Sequence, residues 1–509
     1  MDRNRFLSGL ANVAVVVVTV GLGLAAGEML FRLNDGYRLG TLALALKPTP
    51  SLEDATSTLP YARQIVIDPA FKIDWYGASP QRETTREPPM AMPDDWTRAI
   101  ESYPPGFLRD ELKFLYNEDF LEWACKTGNR TNVLRKYKEK PGFVYAYRQP
   151  SGSRNPEYRQ VPGSGEGANT FNNFGFRGPD LPFKKPPRTI RLAFLGASTT
   201  QNGWPFTYPE FVAEFLRQWA KATDLDVTFD VVNAGRGGET SESIAQIMRN
   251  EVAPLRPDIV VYYEGANDLH AHWVVDQPTA EARKAGDGRQ FTEMKPLPLE
   301  RYSALANRVY ALLFRRGGPG AEPPKPAHTL KFDIDQKDPD IERADLPFRL
   351  PTQIQSIREI AAQSKRIGAE LFLSTFVVIA KDGLRLDPEK HRIIWHGLNE
   401  EYAPLTYAEI QQMIGFENTV FRKLAAKDHL RLIEVYDYFP QEPDFFADTV
   451  HFAQEGGFRL QAWIVAQQLT AYIREQLKDG KLPKPSDADP SEIAWLRQPP
   501  IKFDLGCVP

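Results

Sequence analysis

The chain of 509 residues is long enough for two to three domains at roughly 150 residues each. Apolar residues make up 42% and charged residues 25%, which excludes wholesale disorder; 62 Lys plus Arg against 66 Asp plus Glu leave a net charge of −4, without the basic excess of a nucleic-acid-binding protein. Two cysteines, Cys125 and Cys507, are too few for a disulfide framework or a cysteine-built zinc site.

Residues 6–27 carry no charge between Arg5 and Glu28. As a helix rising about 1.5 Å per residue, this stretch reaches roughly 33 Å, enough for the hydrocarbon core of a bilayer. A cleaved signal peptide has a shorter apolar region of about 7–15 residues, so residues 1–35 read as an uncleaved transmembrane anchor. Arg3 and Arg5 before the span and Arg32, Arg38 and Lys47 after it do not decide orientation by charge. The short leading tail and the large following region favour a cytoplasmic tail and an exported bulk, on the periplasmic or extracellular side.

Residues 36–97 are rich in Pro and polar residues without a sustained period and read as a stalk. Residues 98–185 form an accessory N-terminal region in which Phe107, Leu112, Phe114, Leu115, Phe120 and Trp123 fall at spacings that suit short helices. From 186 to 480 short apolar runs alternate with helical patterns: 191–196, 230–235, 259–265, 370–380 and 430–436 read as buried strands. Thr207 with Glu210, Thr352 with Gln355 and Thr406 with Glu409 have capping-box spacing, and a last amphipathic helix is expected over 457–478. The alternation predicts a three-layer α/β/α sandwich on a mostly parallel sheet. Residues 269–350, with a helix expected near 300–316, interrupt it as an insertion or lid, and 481–509 form a Pro-rich C-terminal tail.

In an open parallel sheet the informative residues lie just beyond the strands' carboxyl ends. Here they are Gly196-Ala197-Ser198, Asn233-Ala234-Gly235, Gly265-Ala266-Asn267-Asp268 and, before the last helix, Asp448-Thr449-Val450-His451. A serine hydroxyl needs a neighbouring base to act as a nucleophile, and His451 can serve for Ser198. Asp448, three residues before it, can fix the imidazole tautomer and stabilise the imidazolium. Acyl transfer also needs donors for the oxyanion, and the N–H groups of Ser198 and Gly235 with the Asn267 amide can converge from three strand ends. His270 and His272 lack the carboxylate partners of a metal site, so neither metal nor organic cofactor is expected.

These four blocks, in this order, resemble the SGNH hydrolase superfamily, the GDSL-type esterases and lipases, over roughly residues 186–480. The resemblance implies a flavodoxin-like sheet and a membrane-anchored serine esterase. It implies Ser198, Asp448 and His451 as the catalytic triad, and Ser198, Gly235 and Asn267 as the oxyanion hole. The expected substrate is an acyl-ester small molecule or an O-acetylated glycan, with no nucleic-acid partner. An O-acetyltransferase of envelope or extracellular polysaccharide using the same triad is one alternative; a non-catalytic, membrane-anchored interaction module is another. The first block departs from the usual Gly-Asp-Ser in having Ala197 at the acidic position, so hydrogen bonding around the nucleophile turn must differ. The upstream stretch holding Asn173, Gly175 and Arg177 is similar to a segment found in membrane-linked members, and it has no chemistry that its residue types alone assign.

Overall fold

The computed structural model describes residues 3–45, 57–80, 144–146, 156, 158–160, 162, 165–166, 169–201, 206–269, 299, 301–314, 320–323, 334–387, 390–402 and 405–497. Both cysteines, His270, His272 and residues 98–143 of the accessory region lie outside them. The chain divides into two compact units, one drawing on Met1–Pro50, Gln277–Leu330 and Ala380–Ile410, the other on Ser51–Asp276, Lys331–Ile379 and Gln411–Pro509. In chain order the principal elements are α1 (Arg3–Asn34), β1 (Thr189–Gly196), α2 (Tyr208–Ala222), β2 (Thr228–Asn233), α3 (Ser241–Ile247), β3 (Ile259–Tyr263), α4 (Ala304–Phe314), α5 (Leu350–Arg366), β4 (Glu370–Ser374), α6 (Tyr407–Lys427), β5 (Arg431–Ile433) and α7 (Gln454–Lys478).

Within the smaller unit, α1 contains a 24-residue stretch, Ala11–Asn34, with mean hydropathy 2.1 and an apolar window in which no residue is buried; it is long and apolar enough to cross a membrane. Its C-terminal end is tied to the start of α4. Glu28 accepts hydrogen bonds from the Ser303 hydroxyl at 2.8 Å and from the N–H groups of Ala304 and Leu305 at 2.9 Å. A carboxylate at a helix start satisfies N–H groups that have no partner inside the helix.

The larger unit is built on a five-stranded, wholly parallel sheet in the order β2-β1-β3-β4-β5, the flavodoxin-like arrangement that the family resemblance implies. Every residue of β1 and β3 is buried, so their side chains are enclosed on both faces of the sheet rather than on alternate positions; within β1, Arg191 is buried against Asp230. One face, with Ala193, Leu195, Val232, Val260, Tyr262, Leu371 and Leu373, packs on α3, α5 and α6. On the other, Phe194 meets Tyr208 of α2 edge-on at 5.5 Å and Phe372 meets Tyr472 of α7 at 5.4 Å. Helices therefore cover both faces, giving three layers.

Two of the three capping boxes form: Glu210 takes the Thr207 N–H at 2.9 Å, and Glu409 takes the Thr406 N–H at 2.8 Å. The third does not, because α5 begins at Leu350 with Pro351 in its first turn, which leaves Thr352 inside the helix. Proline is well suited to that place, since its missing N–H would have no helical partner there.

The stretch with Asn173, Gly175 and Arg177 forms a tight turn. Asn172 Oδ1 accepts the N–H groups of Phe174 at 2.9 Å and Phe176 at 3.0 Å, and Arg177 then pairs antiparallel with Asn233 at the end of β2. Gly175 has φ +81°, and a Cβ there would run into the Gln160 carbonyl, so glycine is required. The segment thus closes the exposed edge of β2 where the chain leaves the sheet.

Residues 57–80, within the stretch read as a stalk, dock on α7. Tyr76 is fully buried and lies 5.4 Å from Trp463, which also packs edge-on against Phe71 and Phe215. Arg459 donates to the Tyr76 carbonyl at 2.7 Å. Trp463→Ala is expected to cost about 3–5 kcal/mol by emptying this aromatic cluster, measurable by urea denaturation. An unchanged midpoint would show that residues 57–80 are not held by α7.

Candidate active site

The turn that holds Ser198 follows directly from β1. A Cβ at Gly196 would overlap the Thr200 side chain and the Tyr263 carbonyl, so only glycine lets the chain turn this close to β3. Ser198–Gln201 make one helical turn, in which the Ala197 carbonyl accepts the N–H groups of Thr200 at 3.1 Å and Gln201 at 3.0 Å. Ser198 opens the turn, and its own N–H meets no acceptor among the described residues.

The second part of the site arrives on a short hairpin before α7. Phe446 and Phe452 pair antiparallel, and Ala447 N–H donates to the His451 carbonyl at 2.8 Å. Phe439 stacks on Phe452 with centroids 4.1 Å apart, which pins the hairpin base. At the tip, Asp448 Oδ1 accepts the N–H groups of Val450 and His451, both at 2.8 Å, while Oδ2 lies 2.6 Å from His451 Nδ1. His451 Nε2 lies 2.7 Å from Ser198 Oγ, across 253 residues of sequence.

Charge settles the direction of this relay. Burial alone would raise the Asp448 pKa, but the His451 charge and the hydrogen bonds from His451 and Val450 outweigh it and hold the carboxyl below its ordinary value. An ionised carboxylate only accepts, so His451 Nδ1 carries a proton and donates it to Asp448. In the neutral imidazole Nε2 is then the acceptor that faces the Ser198 hydroxyl. The sequence-predicted Ser198, Asp448 and His451 are thus brought together in one hydrogen-bonded row, each side chain reaching the next.

Of the expected oxyanion donors, Asn267 is held in place by its own loop. Its N–H donates to Glu264 Oε1 at 2.7 Å, and one hydrogen of Nδ2 goes to the Glu239 carbonyl at 2.8 Å. Gly235 differs from expectation: its N–H donates to Asn233 Oδ1 at 3.1 Å and so is not available to a ligand. A Cβ at Gly235 would overlap the backbone of Thr200 and Gln201, so this glycine serves the close approach of two turns. The backbone N–H that meets no acceptor is three residues on, at Gly238, where φ is +76° and a Cβ would meet nothing within 4 Å. Gly238 lies between Gly237, whose N–H donates to Gln201 Oε1 at 2.8 Å, and Glu239, whose carbonyl receives Asn267. It is therefore bracketed by the Ser198 turn and the Asn267 loop. The run of two glycines at 237–238 was the available sequence signal, but residue type does not reveal which N–H is already used.

Around these loops the polar groups are buried and cross-linked. Asn233 Nδ2 donates to the Thr200 carbonyl at 3.0 Å, and Asp268 Oδ2 accepts the Ser241 N–H at 2.8 Å with Arg349 Nη1 3.3 Å from its other oxygen. Asp268 thus supports the loop before α3 rather than facing Ser198. Behind Asn267 sits Glu264, only 1% exposed, with no Lys or Arg side chain bound to it among the described residues. Burial pushes its pKa up from 4.5 to about 8, and the Asp268 charge adds to the rise. The N–H groups of Asn267 and Ala197 and the charge of His451 oppose it. Glu417 on α6 is pushed well above its ordinary value by burial, with Glu264 and Asp268 adding to it. Among the described residues no group of three or more His, Cys, Asp or Glu is arranged to hold a metal ion.

A family model described as the GDSL-like lipase/acylhydrolase family matches residues 194–457, just over half of the chain. Among curated proteins none matches it. The solved structures similar to it include a GDSL-like lipase from Bacteroides thetaiotaomicron, at 14% identity over 55% of this chain and 88% of that one, with a TM-score of 0.27. The lipase/acylhydrolase from Enterococcus faecalis follows at 17% identity, over 56% and 96%, with a TM-score of 0.30. An acetylxylan esterase from Geobacillus stearothermophilus is 15% identical over 55% and 94%, with a TM-score of 0.29. Family membership rests on the family match and not on these overlays.

The raised pKa of Glu264 has a consequence for stability. The folded chain keeps a proton that the unfolded chain releases near 4.5, so its stabilising effect is full below about pH 4.5 and is lost as pH rises toward about 8. Glu264→Gln carries no such proton. The melting temperature of the variant minus that of the wild type should increase from pH 5 to 8 and level off above; a difference constant with pH would mean that Glu264 is ionised in the folded chain.

Proposed function

The chain belongs to the GDSL-like lipase/acylhydrolase family and is a hydrolase acting on ester bonds, and from that premise we propose that Ser198, His451 and Asp448 are its catalytic triad. The observation that carries this reading is the row of two short contacts, Ser198 Oγ to His451 Nε2 at 2.7 Å and His451 Nδ1 to Asp448 at 2.6 Å.

In this reading the Ser198 oxygen attacks the acyl carbonyl while His451 Nε2 takes the hydroxyl proton. The carbonyl electron pair moves to oxygen, and the resulting oxyanion is received by the Ser198 N–H, the free hydrogen of Asn267 Nδ2 and the Gly238 N–H in place of that of Gly235. As the carbonyl re-forms, the alcohol leaves with the proton from His451, and the acyl group stays as an ester on Ser198. Water, deprotonated by the same nitrogen, then releases the acid and restores the serine. Asp448 keeps Nδ1 protonated throughout and stabilises the imidazolium without taking its proton.

The substrates in this proposal are acyl esters, with O-acetyl groups on glycans and short-chain esters first among them. We place the enzyme on the membrane through α1, with its ester-cleaving unit on the exported side, supported by the apolar stretch Ala11–Asn34. The domain limits of the sequence reading, an anchor to 35 and an ester-cleaving region over 186–480, belong to this same proposal. Transfer of the acyl group to a sugar hydroxyl would use the same acyl-enzyme and differs only in what attacks it.

The test uses the full chain in detergent with a fluorophosphonate probe and intact-mass detection. A single adduct lost in both Ser198→Ala and His451→Ala is expected. Ser198→Ala should lower turnover by up to about 10⁶-fold. Asn267→Ala should cost roughly 10²–10³ in kcat. Wild-type turnover in the Ser198 variant would sink the mechanism, and product on an added glycan exceeding free acid would turn the assignment from hydrolase to transferase.

A further inference from the structure

Glu264 is a buried acidic side chain at the base of the loop from which the proposed amide donor arises. It stands immediately after β3, 1% exposed, and its Oε1 accepts the Asn267 N–H at 2.7 Å. Among the described residues Oε2 has no hydrogen-bond partner, and it is fully enclosed. The groups that face it are Asn267 and Asp268 on its own loop, Ala197 after β1, Glu417 on α6 and His451 on the hairpin before α7. Glu417 approaches so closely that a Cβ on Gly265 would lie 2.6 Å from its Oε2.

An enclosed carboxyl with acidic neighbours is costly to ionise, so a fold that merely needed packing here would use an apolar side chain. What a carboxyl adds over an apolar group is a fixed acceptor for N–H groups that are cut off from water. We propose that Glu264 is a positioning residue of the ester-cleaving site, holding the Asn267 loop in place from the end of β3 through the buried hydrogen bond it accepts from the Asn267 N–H. This inference rests on the reading of Ser198 as nucleophile. The protonated state favoured by burial suits the role, because a neutral carboxyl still accepts through its carbonyl oxygen while placing no negative charge behind the forming oxyanion.

This hold acts on the geometry of the transition state more than on ground-state binding, which sets the expected kinetic signature. With p-nitrophenyl acetate as probe and the full chain in detergent, Glu264→Ala should lower kcat about 10- to 100-fold, less than loss of an oxyanion donor, with KM changed less than about threefold. Glu264→Gln keeps an acceptor oxygen in the same place and should recover kcat to within about threefold of wild type. Glu264→Asp keeps the chemistry but withdraws it by one methylene, and should lose at least about tenfold; it keeps the test decisive if the alanine variant fails to fold. Wild-type kcat in Glu264→Asp or Glu264→Ala, or a glutamine variant as impaired as the alanine one, would overturn the positioning role. Fluorophosphonate labelling run in parallel separates the two ideas: absence of a Ser198 adduct in the wild type overturns the nucleophile assignment itself, whereas a normal adduct with an unaffected Glu264→Ala overturns only the positioning role.

Discussion

The site depends on β1 lying between β2 and β3 in parallel register, Leu192 opposite Val231 on one side and Ile259 on the other. Neighbouring strands sit about 4.8 Å apart, so the turns that leave them are forced into contact. Gly196 and Gly235 are small because each faces the backbone of an adjacent turn with no room for a Cβ. The Ser198 turn, the Gly237-Gly238 loop and the Asn267 loop therefore meet at one end of the sheet without any side chain having to reach far. The brace of Arg177 on Asn233 holds the outermost of the three strands where its loop begins.

Crowding three turns into a dry space leaves many backbone groups cut off from water, and the structure answers each with a side chain. Asn233 serves Thr200 and Gly235, Gln201 serves Gly237, Asp268 serves Ser241, and Glu264 serves Asn267. Arg236 and Glu251, paired at 2.8 Å and buried, close the network behind the loop. Such buried polar groups contribute little net stability, but they leave few alternative arrangements of equal energy. The N–H groups of Ser198 and Gly238 are among those of these loops that meet no acceptor within the described residues, so they are open to an external oxygen.

The acidic residues divide by surroundings rather than by type. The imidazole and two N–H groups pull the Asp448 carboxyl toward its ionised form, whereas burial and the Asp268 charge push Glu264 toward its neutral form. Glu28, in the smaller unit, spends its carboxylate on the first N–H groups of α4, at the end of an apolar helix long enough to cross a bilayer. Each is a carboxyl whose chemistry is set by the donors around it.

The primary structure determined the strands, because unbroken runs such as Leu192–Leu195 and Ile259–Tyr263 can only be buried on both faces, and it determined the relay, because Asp448 and His451 sit three apart before a helix that follows the last strand. The parallel sheet and the partnership of Ser198 with His451 were legible for that reason. What the chain alone did not disclose is which backbone N–H groups remain unused. Gly235 and Gly238 are the same residue type three positions apart, and only the fold shows that Asn233 takes the N–H of one while no described residue takes that of the other. Glu264 was silent for a related reason: an acidic residue after a strand looks like a surface charge until the sheet, α6 and the His451 hairpin close around it. Hydrogen-bond direction and burial are properties of what surrounds a residue, and they exist only once distant segments have been brought together.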